Sequence, residues 1–186
     1  MLSVLCNLAM TAMAVAAVLV HTGKAPLRVV LRFFTVQSNL FCALASAAVA
    51  VFRLCGGAPT AVLMLKFIGT AAVTVTLLTV LLFLGPTMGY RLMFTGPDLF
   101  LHLVCPILAL VSYFAWDKPA APWPVVILGV LPVVLYAALY LYKVLAAPEE
   151  KRWDDFYGFN RSGKWPVSLA AMLLGTLLIS VVLWLL

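Results

Sequence analysis

LRFFTVQSNLFCALASAAVAVF, residues 31–52, is apolar enough and long enough to cross a bilayer, yet it carries a polar cluster just inside one end. A spanning helix needs about 20 apolar residues. Within such a run Thr35, Gln37, Ser38 and Asn39 stand out, because polar groups in lipid pair with each other, line a cavity or carry chemistry. Taken as a helix, the run places Thr35, Ser38, Asn39, Cys42 and Ser46 at i, i+3, i+4, i+7 and i+11. That spacing gathers them on one face. A stripe of small and hydroxyl side chains faces protein rather than lipid. Its plainer reading is close helix packing, with Asn39 bonded to a neighbour.

The rest of the chain fits the same medium. Its 186 residues are 66% hydrophobic and 10% charged, against about 25% charged in soluble domains. The expected fold is all-α: a single domain over residues 1–186, built as an integral membrane bundle of six transmembrane helices. The spans are expected at about Leu2–Val20, Leu31–Phe52, Ala61–Leu84, Asp98–Ala115, Pro124–Leu145 and Pro166–Leu186. The first run lacks the basic residues that precede a secretory signal, so it reads as a retained helix.

The net charge of +6 is topological rather than a nucleic-acid footprint, and no nucleic-acid partner is expected. Loops one, three and five hold Lys24, Arg28, Arg32, Arg91, Lys143, Lys151, Arg152, Arg161 and Lys164. The opposite side holds Arg53, Lys66 and Lys118. Nine against three puts the odd loops in the cytoplasm and both termini outside. Lys66 is close enough to a span end to snorkel. The four cysteines show no CxxC spacing and read as small apolar residues.

The fourth span supplies a second outlier, His102. Asp98 lies four residues before it, so the two share a helix face, and an acid there would orient the ring. Pro106 lies four residues after it and has no N–H for the His102 carbonyl, so the helix is expected to loosen at His102. The plainer reading makes Asp98 an N-cap and His102 a packing residue. By the charge count, Thr35 and His102 enter from the same side at similar depth, each about four residues inside its span. Asp98 and His102 alone are too few ligands for a metal, and no cofactor is expected. In the long fifth loop, Trp153, Phe156 and Tyr157 read either as a headgroup-level belt or as a lid over a site.

Two motifs carry a resemblance. Arg32-Phe33-Phe34-Thr35-Val36-Gln37-Ser38-Asn39-Leu40 resembles the threonine motif of a bacterial family of predicted six-span membrane proteins. These are similar to the eukaryotic androgen-induced membrane hydrolases. Asp98-Leu99-Phe100-Leu101-His102-Leu103-Val104-Cys105-Pro106 resembles that family's histidine motif, in which a proline follows the histidine by four. By span count and motif order the resemblance covers most of the chain. The eukaryotic relatives are threonine hydrolases that cleave fatty-acid esters of hydroxy fatty acids. The resemblance implies a bacterial inner-membrane hydrolase of membrane-lipid or fatty-acyl esters, with Thr35 as nucleophile and His102 as general base. In that chemistry Asp98 would orient His102, and Ser38, Asn39 or nearby backbone N–H groups would support the oxyanion. The competing class is a non-enzymatic membrane protein: a small transporter, or a lipid- or partner-binding module.

Overall fold

The computed structural model describes residues 1–186 as helices and turns, with no strand. Six helices are long and apolar enough to cross a membrane: α1 (Leu2–Thr22), α2 (Phe34–Leu54), α3 (Thr60–Met88), α4 (Pro97–Asp117), α5 (Val125–Ala146) and α6 (Trp165–Leu185). The form follows from the medium, since only a helix satisfies a single segment's N–H and C=O groups without water. Large apolar side chains such as Leu44, Leu82, Leu135 and Leu178 point outward. In water so much exposed apolar surface would drive aggregation; in lipid it is the expected outer face. The protein is therefore an integral membrane bundle.

α3 is the most enclosed helix and α6 the least. α3 packs against α2, α4, α5 and α6, while α1 lies along α2 and α4. Two glycines set the closest approaches. A Cβ on Gly69 of α3 would sit 2.9 Å from the Cys42 Cα of α2, and one on Gly129 of α5 would collide with the Ser180 Oγ of α6 and lie 2.9 Å from the Phe67 ring. Neither crossing tolerates a side chain, the usual device for bringing membrane helices together.

The second span starts later than the hydropathy suggests. Leu27–Val30 forms a short helical turn, Phe33 is extended (φ −86°, ψ 130°), and α2 begins at Phe34. The Gln37 amide donates back to the Leu31 carbonyl at 2.7 Å and fixes this entry. Thr35 is consequently the second residue of its helix rather than about the fourth inside a span.

Candidate functional site

The stripe on α2 is buried along its whole length: Thr35, Ser38, Asn39, Cys42 and Ser46 are each at most 9% exposed. Ser38 Oγ donates to the Thr35 carbonyl at 3.1 Å and pairs with Thr76 Oγ1 of α3 at 2.9 Å. The Asn39 side-chain N–H group donates to the Thr35 carbonyl at 2.8 Å and to the Leu101 carbonyl of α4 at 2.9 Å. Both neighbours are acceptors, so the amide nitrogen must face them. Asn39 Oδ1 is left buried without a partner.

The Leu101 carbonyl is free for a covalent reason. Residues Phe100–Val104 form a π turn, in which the Cys105 N–H reaches the Phe100 carbonyl. In that i→i+5 register the donor for Leu101 would be residue 106, which is proline and has none. The loosening expected at the His102 carbonyl thus falls one residue earlier, and Asn39 fills the vacancy. The bond also makes α2 and α4 neighbours, and because one Asn39 nitrogen bonds both carbonyls it sets Leu101 close to the depth of Thr35, with His102 one residue, or ~1.5 Å, further in.

His102 is 7% exposed, and its Nδ1 lies 2.8 Å from the Met93 carbonyl. A carbonyl only accepts, so Nδ1 carries the hydrogen and Nε2 keeps the lone pair, the tautomer a general base needs. The orienting group is the Met93 backbone. Asp98 does not perform that role: its carboxylate pairs with His21 Nε2 at 3.1 Å, at the partly exposed mouth of the bundle. His21, in the last turn of α1, is tied down by the same contact. Thr35 and His102 share no direct hydrogen bond; Asn39 joins the Thr35 backbone to the residue beside His102.

The Thr35 side chain borders a cavity of about 610 Å³ between α2, α3, α5, α6 and the fifth loop. Most of its lining is hydrophobic, including Val75, Val80, Val133 and Ile179, with Thr76 and Tyr157 as polar points near Thr35. The volume lies within the ~300–1,000 Å³ of small-molecule sites.

Tyr157, which the sequence left between a headgroup-level belt and a lid over a site, lines this cavity. Its Oη accepts the Phe34 N–H at 3.0 Å, satisfying one of the unpaired donors at the start of α2. The loop is locked in place by Asp155. Asp155 Oδ1 accepts from Tyr140 Oη at 2.9 Å and from Phe159 N–H at 2.8 Å, and Oδ2 accepts from Asn160 N–H at 2.8 Å. The Tyr157 N–H donates to Tyr140 Oη at 3.1 Å, and the ring packs on Tyr140 and Phe156. Burial pushes the phenol above its usual pKa, opposed by the Phe34 N–H.

A second polar cluster lies at the other end of the bundle. Lys66 does not snorkel. It is fully buried, and Nζ donates to Asn7 Oδ1 at 2.9 Å and Ser46 Oγ at 2.7 Å. Asn7 Nδ2 donates onward to Asp117 Oδ2 at 2.7 Å, and Ser3 Oγ to Asp117 Oδ1 at 2.8 Å. Arg53 closes the chain with Nη2 3.0 Å from Asp117 Oδ1. Asp117, the last residue of α4, is fully buried. The cluster ties α1, α2, α3 and α4 together. The available signals were Ser3 and Asn7 at i and i+4, and a lysine more than one turn inside an apolar run.

The chain matches no protein-family model, no curated protein and no solved structure.

Proposed function

We propose that this membrane protein is a hydrolase of lipid-like esters, of the bacterial plasma membrane, with Thr35 as nucleophile and His102 as general base. The observation that carries the reading is the Thr35 side chain on the wall of a largely apolar cavity, one turn from an asparagine that joins it to the His102 helix. An acyl chain suits such a lining, and Thr35 lies at the helix start, where an ester carbonyl at the headgroup boundary would meet it. The His102 tautomer leaves Nε2 able to take a proton.

In this reading His102 Nε2 accepts the Thr35 hydroxyl proton as Oγ attacks the carbonyl carbon, directly or through one water. The tetrahedral intermediate collapses, the alkoxide leaves with the proton from His102, and an acyl-threonine remains. Water, deprotonated by His102, then releases the acid and restores Thr35. Catalysis requires Oγ and Nε2 within hydrogen-bond reach of each other or of one bridging water once substrate is bound.

The same cavity favours one rival, a lipid-binding module that holds an acyl chain without cleaving it. The experiment is labelling of purified protein in detergent by a fluorophosphonate ester probe, with the modified residue located by peptide mass. Wild type should label at Thr35, and Thr35→Ala should not. Equal labelling of the two, or none in a folded wild type, leaves the binding module as the reading.

A further inference from the structure

The proposed chemistry needs a donor for the negative charge that develops on the ester carbonyl oxygen. The polar stripe of α2 does not supply one. The Ser38 hydroxyl hydrogen goes to the Thr35 carbonyl, and the Asn39 amide hydrogens go to the carbonyls of Thr35 and Leu101. Nor do the neighbouring backbone groups. The Phe34 N–H is bonded to Tyr157 Oη and the Thr35 N–H is turned toward the same oxygen, while those of Val36 and Gln37 reach the Phe33 carbonyl at 3.1 and 3.2 Å. What remains is the Tyr157 hydroxyl. It accepts the Phe34 N–H, and no carbonyl or carboxylate takes its own hydrogen. It borders the Thr35 side chain and opens on the same cavity.

We propose that Tyr157 is a catalytic residue of this site, its O–H donating to the substrate's carbonyl oxygen as Thr35 Oγ attacks. The inference rests on the hydrolase reading above. As the Oγ–C bond forms, the carbonyl π pair moves to oxygen and the Tyr157 hydrogen bond strengthens against it. When the intermediate collapses, the pair returns, the alkoxide leaves, and Tyr157 keeps its proton throughout. A phenol whose pKa is raised stays neutral at physiological pH, the state in which it can donate. The groups facing it are Phe34 and Thr35 from α2 and Tyr136 and Tyr140 from α5, with Asp155 of its own loop bound to Tyr140. No ammonium or guanidinium bonds it. The fifth loop then serves as a wall of the active site, not only as a headgroup belt.

The test uses the full chain in detergent micelles with p-nitrophenyl decanoate as probe. Tyr157→Phe keeps the ring and removes the donor. Its kcat should fall about 100–1,000-fold, the usual effect of losing one oxyanion donor, with KM within about threefold. Thr35→Ala should be inactive. A Tyr157→Phe kcat close to wild type, or a loss confined to KM, with Thr35→Ala inactive, overturns the Tyr157 role alone. A wild type no faster than Thr35→Ala overturns the hydrolase reading and this one with it. Because Tyr157→Phe also loses the bond to Phe34, a second variant carries 3,5-difluorotyrosine at position 157, which keeps hydroxyl and packing but ionises more readily. Its rate should drop at lower pH than wild type, since a phenolate has no proton to donate. A pH profile identical to wild type overturns the donor role.

Discussion

The Asn39 side chain donates to the Leu101 carbonyl at 2.9 Å, across the seam between two spans and at the point where Pro106 leaves that carbonyl without its helical donor. The two residues are complementary defects: a buried amide needing acceptors and a buried carbonyl needing a donor. Their coupling is measurable. Asn39→Ala should cost about 1–3 kcal/mol, because it leaves the Leu101 carbonyl unsatisfied in a buried seam. Pro106→Ala restores an N–H at position 106, which can bond Leu101 in the π register. In that background the cost of Asn39→Ala should shrink, giving a coupling of about 0.5–3 kcal/mol in a double-mutant cycle. Thermal or denaturant unfolding in a fixed detergent reads it. Strict additivity would mean that Leu101 has another donor.

Asp98 provides a sharp negative. It shares a helix face with His102 but spends its carboxylate on His21 at 3.1 Å, while the Met93 carbonyl holds the His102 ring. Asp98→Asn should therefore leave ester hydrolysis within about twofold of wild type and stability within about 1 kcal/mol, as expected for a partly exposed pair. His102→Gln should abolish turnover. A large loss of kcat in Asp98→Asn would return Asp98 to the catalytic machinery.

The buried charges make a stability prediction with a definite order. Asp117 is the only acid within the Lys66–Asn7–Asp117–Arg53 chain. Asp117→Ala leaves two cations without a counter-charge and should cost about 3–5 kcal/mol. Lys66→Met removes a buried charge and leaves only neutral Asn7 and Ser46 atoms unpaired, so it should cost less. Unfolding of both variants in nanodiscs gives the ranking; Lys66→Met as the worse of the two would show that Lys66, not Arg53, is the partner Asp117 needs.

What the sequence disclosed follows from what lipid imposes. Span number and the buried stripe of α2 were legible because spanning length and helical period are written locally. The start of α2 was misplaced by three residues, since Leu31 and Phe33 are apolar yet belong to a turn set by the Gln37 side chain. Partner choice was hidden. Asp98 and His102 at i and i+4 looked like a pair, but the acid's partner comes from α1 and the histidine's from the third loop. Lys66 read as a snorkelling side chain because its acceptors sit on two other helices. Tyr157 is more than a hundred residues from Phe34, and no periodicity connects them.

Tyr157 also fixes an alkaline signature. Its pKa is raised in the fold, first by burial, so the folded state holds the proton more tightly than the unfolded chain does. For a group shifted in this direction, stability is fully present below the unfolded value of about 10 and is lost as pH rises through the raised folded value. In that window the slope approaches ~1.4 kcal/mol per pH unit for one phenol. Tyr157→Phe cannot ionise at this position. The difference in unfolding free energy between wild type and Tyr157→Phe should therefore be constant up to about pH 10 and fall above it. Equilibrium unfolding from pH 8 to 11 measures that difference. A gap that stays constant across the whole range would mean that the Tyr157 hydroxyl is open to water, and with it the mouth of the cavity beside Thr35.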